Sequence, residues 1–321
     1  MKRLLASLLF AAAAAACAAA LAQNFPSHPI RIIVPWPPSG NVDITARTIA
    51  PALGEALGQQ VIVDNRAGAA GRIGSTEVAK AAPDGYTLLL GSSGTITAGP
   101  AVFKHIAYQA KDFVAVGAIQ AVPIVLTVAP KTPVKNWQDY VALAKQKNGQ
   151  LSIASAGSGS SNHLALELMM RMAGLQLLHV PYKGSGPAIT DLLGSQVESM
   201  MDQLTASIGH IKDGRIRAIA ISSARRSPLL PDVPTLDELG VKGYEASTFT
   251  GLFAPAALPP QVLQKLSLAV RTALANQAVR ERYKGMGVEI MDMSQPEFAA
   301  YVAQDAEKWR KVAREGNISV E

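Results

Sequence analysis

Two stretches rich in serine and glycine carry the residues of this chain that are best suited to binding chemistry. The apolar run Ile30–Val34 leads into Trp36-Pro37-Pro38-Ser39-Gly40-Asn41, and the run Leu151–Ala154 leads into Ser155–Ser161. In each case a strand-like segment ends in a tight turn just before a helical pattern. Such a turn leaves backbone N–H groups without partners at the positive end of the helix dipole, which suits an anion. The spacing therefore predicts two small anion sites.

We expect backbone N–H groups and hydroxyls of both stretches to hold the ligand. Hydroxyls after the strand Tyr86–Leu90 are further candidates, because ligands of open α/β sheets bind beyond the carboxyl ends of strands. Asp202 follows the run Val197–Met201; if it faces the cleft, it would accept a hydrogen bond from a ligand hydroxyl or amine, or order water. The predicted ligand-binding residues are Trp36, Ser39, Gly40, Asn41, Ser92, Ser93, Ser155, Ala156, Gly157, Ser158, Gly159, Ser160, Ser161 and Asp202.

Several of these residues also have a structural alternative. Trp36 can stack on a planar ligand or belong to the core. Gly40 can be an ordinary turn glycine, and the second stretch can supply a simple serine N-cap. Asp43 is predicted to be structural, capping the helix or tying down the loop, because a carboxylate that faces an anion is unfavourable. His163 is predicted to be a packed or surface histidine.

Apolar runs alternate with helical patterns along the chain. The runs are continuous, which is typical of strands buried on both faces. Their order indicates α/β layers with mainly parallel sheets. Pro51 falls inside the first helical pattern and is expected to kink that helix or end it early. The predicted strands are Ile30–Val34, Val61–Val63, Tyr86–Leu90, Val114–Ile119, Ile124–Val128, Leu151–Ala154, Leu177–Val180, Val197–Met201, Ile216–Ile221, Thr248–Phe253 and Val288–Met291.

The first 22 residues have the pattern of a secretory signal peptide. A positive start, Lys2-Arg3, precedes the apolar, alanine-rich run Leu4–Leu21, and the small residues before position 23 predict cleavage after Ala22. A membrane anchor is the alternative, because the run is about as long as a thin span requires. The only cysteine, Cys17, lies in this segment, where a lipid anchor is a further alternative. We therefore expect export to the periplasm.

Composition excludes several classes of function. The formal net charge of +6 favours anionic ligands by long-range attraction. The basic residues form no run interleaved with aromatics, so we expect no nucleic-acid partner. The five histidines show no metal-ligand spacing, and the chain has neither a dinucleotide fingerprint nor a phosphate loop. The sequence therefore predicts no metal and no cofactor.

A secreted hydrolase is the enzymatic alternative, because the loops are rich in serine. A nucleophile elbow requires Gly-x-Ser-x-Gly at a strand-to-helix turn. Neither Gly91–Thr95 nor Gly157–Ser161 fits that pattern. The sequence therefore favours a binding protein over an enzyme.

Two β-runs bounded by proline, Val122–Val128 and Thr248–Pro255, are predicted to cross between two lobes. The division that follows places residues 1–22 in the signal peptide. Residues 23–124 and 251–321 would form the first lobe, and residues 125–250 the second. The length of the chain is sufficient for two compact lobes.

A set of motifs across nearly the whole mature chain resembles the extracytoplasmic solute receptors of the tripartite tricarboxylate transporters, the Bordetella uptake gene family. Each motif alone is weak, and their order and spacing together are specific. The motifs are Pro29–Gly40 followed by Asp43 and Arg47, Val63–Gly71 followed by Gly74, Pro83–Leu88, His179–Gly184, and Leu230–Thr235 with Glu238.

The resemblance implies a type II periplasmic-binding-protein fold, in which two α/β lobes close on a ligand cleft about a two-strand hinge. It implies a receptor that performs no reaction, captures a small carboxylate such as a dicarboxylate or an aromatic acid, and delivers it to membrane transporter subunits. A periplasmic ligand sensor is the alternative, since the receptor sequence alone cannot separate transport from sensing. We expect a monomer, because both lobes must move and meet a partner.

The loop after the first predicted strand, residues 36–41, departs from the family pattern and is called the first loop. The family usually has two glycines where this chain has Ser39 and Gly40, and often has Phe where this chain has Trp36. Ser39 is expected to restrict the turn, because it lacks the freedom of glycine at positive φ. Its hydroxyl could in turn donate to the ligand.

Overall fold

The computed structural model describes residues 25–316 and 318–321. The predicted signal peptide, its cleavage position after Ala22 and Cys17 lie outside the described residues. Within the described ranges, every helix is too short or too polar to cross a membrane.

Ten strands in the described residues form one continuous sheet with the order β2-β1-β3-β9-β4-β7-β5-β6, and β8 and β10 also pair with β4. The central strand β4 belongs to both halves of this sheet. The strands are β1 Ile30–Val34, β2 Val61–Asn65, β3 Thr87–Ser92, β4 Phe113–Val128, β5 Ser152–Ser155, β6 Leu178–Pro181, β7 Ser199–Gln203, β8 Arg217–Ile221, β9 Ser247–Pro255 and β10 Glu289–Ile290.

Helices cover the faces of the sheet. Short turns of 3₁₀ or π type at Ala69–Gly71, Gly94–Ala98 and Ala110–Asp112 complete the connections. The α-helices are α1 Asn41–Leu57, α2 Arg72–Ala79, α3 Gly99–Val102, α4 Trp137–Gln146, α5 Ser161–Ala173, α6 Ser185–Leu193, α7 Leu204–Lys212, α8 Pro260–Ala275, α9 Gln277–Gly285 and α10 Gln295–Glu315.

The prediction of mainly parallel sheets holds only at the two outer parts of the sheet. The strands β1, β2 and β3 run parallel to one another, as do β5, β6 and β7. The central pairs, β3 with β9, β9 with β4, and β4 with β7, are antiparallel. The reason is that β4 and β9 carry the chain between the two halves in opposite directions.

The two β-runs predicted at residues 114–119 and 124–128 are one strand, β4. Its residues up to Pro123 pair with β9, and its residues from Ile124 onward pair with β7. Two register shifts interrupt the pairing with β9, which is typical of bulges that bend a strand. The strand therefore passes from one half of the sheet to the other at residues 123–124.

Pro51 does not end the first helix. Helix α1 continues through it to Leu57, so the prediction of an early end is wrong. The side chains of Val42, Ala46, Ile49 and Leu53 are buried at helical spacing and hold α1 on the first half of the sheet. Pro51 itself is exposed, so the carbonyl that loses its N–H partner can face water.

Each half of the sheet has its own apolar core. In the first half, Ile32 and Leu88 pack with α1 and with Leu266 of α8. In the second half, Leu126 and Ile153 pack with helices α4 and α5, and Trp309 near the end of α10 joins that cluster. Phe298 near the start of α10 packs with Ile33 and Leu89, so the last helix starts on the first half of the molecule and ends on the second.

Ser222 joins the two strand crossings between the halves, one in β4 and one at the start of β9. Its Oγ accepts a hydrogen bond of 2.7 Å from the N–H of Ile124 and donates to the carbonyl of Ala246. Its own backbone bonds the same two residues, at 2.9 and 3.0 Å. Ala246 directly precedes β9, which pairs with β3 and β4. One buried serine thus fixes the spacing of both crossings.

Candidate functional site

A cavity lies between the two halves of the molecule and is lined by both. The first half contributes the turn after β1 and the end of β3, and the second half contributes the turns after β5, β6 and β7. The lining residues are Trp36, Pro37, Gly40, Asn41, Val42, Ser92, Ala156, Ser160, Ser161, Asn162, Gly184, Ser185 and Gln203. None of these side chains carries a formal charge.

Four α-helices begin at this cavity. The residues that precede their first turns are Gly40 for α1, Ser160 for α5, Gly184 for α6 and Gln203 for α7, and all four line the cavity. Only Ser160 accepts a hydrogen bond from its own helix through its side chain, from the N–H of His163. The first-turn N–H groups of the other three helices have no such cap, so the cavity presents partial positive charge without a cation.

The first loop is anchored by Asp43 from within α1. The Asp43 carboxylate accepts hydrogen bonds from the N–H of Ser39 at 3.0 Å, from Arg47 at 3.0 Å and from Asn65 at 2.9 Å. Burial alone would raise the pKa of Asp43, but these hydrogen bonds, above all that from Arg47, hold it below the ordinary value. The charged carboxylate is therefore used to fix the turn.

Ser39 occupies a left-handed backbone conformation, with φ 68°. A non-glycine residue in this region costs on the order of 1 kcal/mol. The side chain is exposed and does not line the cavity, although the next residue, Gly40, does.

Asn41 connects the cavity to both crossing strands. Its Oδ1 accepts a hydrogen bond of 2.9 Å from Gln120 of β4, and its Nδ2 donates to Thr250 of β9 at 3.5 Å. All three side chains are buried. Asn41 thus joins both crossing strands to the wall of the cavity.

Trp36 lies in the first loop, between β1 and α1, and is partly exposed. Its indole ring lines the cavity, and its Nε1–H is buried without a hydrogen-bond partner among the described residues. An indole N–H usually finds a partner when it is buried. Trp36 therefore combines an apolar face with one unused donor.

The hydroxyls that follow β3 have different positions. Ser92 lines the cavity, but its neighbour Ser93 accepts a hydrogen bond of 3.0 Å from the N–H of Phe249 and does not line it. The Thr95 hydroxyl is paired with the backbone of Ser92. Only Ser92 of these three faces the ligand space.

The loop between β5 and α5, called the second loop, also contains residues that line the cavity and residues that do not. Ala156, Ser160 and Ser161 line the cavity, whereas Ser155, Gly157, Ser158 and Gly159 do not. Polar groups of Ser155, Gly157 and Gly159 hold the loop itself in place. Ser155 Oγ accepts from the N–H of Gly157 at 3.1 Å, and the N–H of Gly159 donates to His163 Nδ1 at 3.1 Å.

Two stacked histidines lie beneath this loop. The rings of His163 and His179 are 4.3 Å apart at an angle of 14°, and Ser155 Oγ lies 2.7 Å from His179 Nε2. Burial, together with neighbouring His163, lowers the pKa of His179 to about 4. Within the described residues no carboxylate bonds to His179, and Ser155 is fully buried. The pair lacks both the third member and the exposure of a hydrolytic triad.

Asp202 is buried directly behind the cavity wall. Its Oδ1 accepts hydrogen bonds of 2.7 Å from Asn162 and 2.7 Å from Ser185, both of which line the cavity. Its Oδ2 is buried and has no partner among the described residues. Burial raises the pKa of Asp202 to about 6, and its hydrogen bonds, the largest from Ser185, offset this only in part.

Six lining residues were not predicted from the sequence. Gly184 and Ser185 follow β6, and Gln203 is the last residue of β7. The rule that selected Ser92, namely that ligands lie at the carboxyl ends of strands, also applies to these three residues. Pro37 and Val42 flank predicted positions. Asn162 has no separate signal in the sequence, because its place depends on its pairing with Gln203 at 2.7 Å.

Metal binding has no support in this part of the chain. Residues 25–316 and 318–321 contain no group of three or more histidine, cysteine, aspartate or glutamate side chains placed to hold an ion.

Known proteins match both the sequence and the fold. The family model described as the tripartite tricarboxylate transporter family receptor matches residues 45–318. The solved structure of the periplasmic binding protein BugD is 34% identical, with a TM-score of 0.88, over 92% of this chain and 100% of that chain. This likeness confirms the predicted fold of two α/β lobes around a ligand cleft.

Two of the similar structures contain a dicarboxylate. A protein of R. palustris, solved with adipate, is 33% identical with a TM-score of 0.88, over 92% of this chain and 99% of that one. The protein MatC from Rhodopseudomonas palustris, solved with bound malate, is 32% identical with a TM-score of 0.86, over 90% and 99%.

Proposed function

Because the chain belongs to the receptor family of the tripartite tricarboxylate transporters, we propose that it captures a small carboxylate and delivers it to membrane transporter subunits. The family is one of solute-binding receptors, and the structures solved with adipate and malate support a carboxylate as the ligand. The proposed ligand class comprises aliphatic dicarboxylates and aromatic acids.

The observation that carries this proposal is the convergence of four helix N-termini on an uncharged cavity. One of them, α1, comes from the first lobe, and three, α5, α6 and α7, come from the second. Backbone N–H groups and helix dipoles stabilise an anion at such positions. They do so without a buried ion pair, whose desolvation is costly.

Closure of the two lobes would complete the site. Contacts to an acid from both lobes stabilise the closed state only when the acid is present, so the ligand shifts the population toward closure. We propose that the lobes comprise residues 23–124 with 251–321, and residues 125–250, and that β4 and β9 form the hinge. The pairing of β4 with β9 up to Pro123 and with β7 from Ile124 supports this.

Export to the periplasm after cleavage at Ala22 is part of the same proposal. A receptor that supplies a membrane transporter must act outside the cytoplasmic membrane, and the relative BugD is described as a periplasmic binding protein. A monomer would leave both lobes free to meet the membrane subunits.

Tryptophan fluorescence tests the proposal at the site itself. Trp36 lines the cavity, whereas Trp137 and Trp309 do not line it and are buried together in one apolar cluster. Adipate or malate should therefore change the emission of the wild-type protein in a saturable manner. The variant Trp36→Phe should lose most of that change while calorimetry still detects binding. Saturable binding with the same emission change in both proteins would place the ligand elsewhere, and no binding of any carboxylate would contradict the proposed function.

A further inference from the structure

Asp202 is the ionisable side chain behind the wall of the proposed carboxylate site. It is fully buried at the end of β7, and two of the residues that line the cavity, Asn162 and Ser185, donate to its Oδ1. Its Oδ2 has no partner among the described residues. One oxygen of the carboxyl is thus held by two donors, and the other is left without any.

Among residues 25–316 and 318–321, no cationic side chain pairs with this carboxyl. Strands β4 and β5, which flank β7, contain no ionisable side chain. The titratable residues of the three helices that pack against β7 are His163, Glu167, Arg171, Asp191, His210 and Lys212. Each is engaged elsewhere or exposed.

These residues form contacts with partners other than Asp202, or are exposed. His163 pairs with Glu167 at 3.3 Å and stacks on His179, while Arg171 pairs with Glu315. Asp191 accepts from the hydroxyl of Tyr182 at 2.6 Å. On α7, His210 lies against Arg215, and Lys212 is exposed. A negative charge on Asp202 is therefore compensated by neutral donors alone, namely Asn162, Ser185 and the backbone N–H of Gln203.

An anionic ligand in the cavity would be close to this carboxyl. Two negative charges that share a site of low polarity disfavour each other's ionised forms, and one of the two groups then takes up a proton.

We propose that Asp202 takes up one proton from solvent when the cleft closes on an anion, so that the receptor binds the acid anion and a proton together. This inference rests on the proposed carboxylate function. The proton is added to the unpartnered Oδ2, and no other bond forms or breaks. Asp202 is thereby a positioning residue that also sets the charge of the occupied site.

The pKa of about 6 that burial gives Asp202 in the ligand-free protein supports the inference. Because binding would raise this pKa further, affinity is greatest below the pKa of the free protein. Between the pKa of Asp202 in the free protein and its higher pKa in the complex, the affinity falls by up to tenfold per pH unit. Above the pKa of the complex, the affinity is constant.

Calorimetry with malate and with adipate measures the proton directly. Titrations at pH 7.5 in buffers of different ionisation enthalpy give the number of protons taken up per ligand bound. At this pH the carboxyls of both probes are already ionised. We expect an uptake approaching one proton for the wild-type protein and none for Asp202→Asn, whose affinity should not depend on pH between about 6.5 and 8.5. The matched control is Asp191→Asn on α6, which changes an acid outside the cavity and should retain the wild-type uptake.

Two results would overturn the proposal. One is binding by the wild-type protein without proton uptake and with a pH-independent affinity. The other is an Asp202→Asn variant that still takes up the proton, which would assign it to the pair His163 and His179.

A ligand-free measurement separates this inference from the proposed function. The ¹³C resonance of the Asp202 carboxyl, assigned by its loss in Asp202→Asn, should titrate near pH 6 in the wild-type protein. A titration near the ordinary value of about 3.9 would contradict the inference, whichever acids bind. If no aliphatic dicarboxylate and no aromatic acid binds while the carboxyl titrates near pH 6, the proposed ligand class fails and the raised pKa of Asp202 stands.

Discussion

At the scale of single residues, few of the polar side chains near the cavity are free to meet a ligand. Backbone N–H groups around the cavity donate to the side chains of Ser93, Ser155 and Asp43. Gly40 and Gly184 contribute backbone N–H groups at uncapped helix starts. The site is thus built from backbone donors, and side chains mainly fix the positions of those donors.

Gly157 is the residue whose replacement should show this most clearly. It has φ 128°, and a Cβ at this position would lie 2.7 Å from the carbonyl oxygen of Tyr182. We expect Gly157→Ala to lose on the order of 1–3 kcal/mol of unfolding free energy. It should also weaken malate or adipate binding at least tenfold, because the turn that ends in Gly184 must shift. Urea denaturation and calorimetry measure the two effects.

Gly174 provides the matched control. It has φ 64° at the end of α5, and a Cβ there would meet no atom within 4 Å. Gly174→Ala should therefore lose about 1 kcal/mol of stability through backbone strain alone and bind as the wild type does. Unchanged affinity in Gly157→Ala would exclude the second loop from the site.

At the scale of helices and strands, the sequence predicted the features that depend only on residues close together in the chain. The predicted bounds of β1 agree with the structure, and α5 begins after Ser160 and ends before Gly174, as cap chemistry requires. Ser39 was expected to restrict the turn, yet it adopts the left-handed φ of 68° that a glycine takes readily.

Other features were not predictable, because they depend on residues far apart in sequence. The single strand β4 and its antiparallel partner β9 are separated by more than a hundred residues. The six unpredicted lining residues include Asn162, which is placed by its pairing with Gln203 across two elements. Periodicity within a short window carries no information on such pairings.

The two chain crossings meet at Ser222, and this contact can be tested. Ser222→Ala removes the hydroxyl that accepts from Ile124 and donates to Ala246, so the buried N–H of Ile124 loses a partner. We expect a loss of about 1–3 kcal/mol in unfolding free energy. Because both crossings are then less constrained, the ligand-free protein should have a larger radius of gyration in X-ray scattering.

Ser207 offers a control of the same chemistry, since it is fully buried and its Oγ has no partner in the described part of the chain. Ser207→Ala should change neither the unfolding free energy nor the radius of gyration by a comparable amount. Equal behaviour of the two variants would mean that Ser222 does not constrain the crossings.

At the scale of the whole molecule, the fold explains why a receptor of this kind needs two lobes. Each lobe alone presents helix N-termini on an open surface, where water competes for the N–H groups. Only when both lobes face one another does the cavity exclude solvent and strengthen each electrostatic contact. In the function that we propose, the binding of a small acid is converted into a change of shape that a membrane partner can recognise.

The most direct test of this account is the thermal stability of residues 23–321, refolded from denaturant to remove any bound compound, with acids and with their neutral amides. A ligand that binds only the folded state stabilises it by about 2.7 kcal/mol at 100 times its Kd. We predict that adipate, malate or an aromatic acid raises the melting temperature by several degrees, and that the corresponding amides do not. Equal shifts with acids and amides, or no shift with any acid, would contradict the claim that the cavity selects a carboxylate.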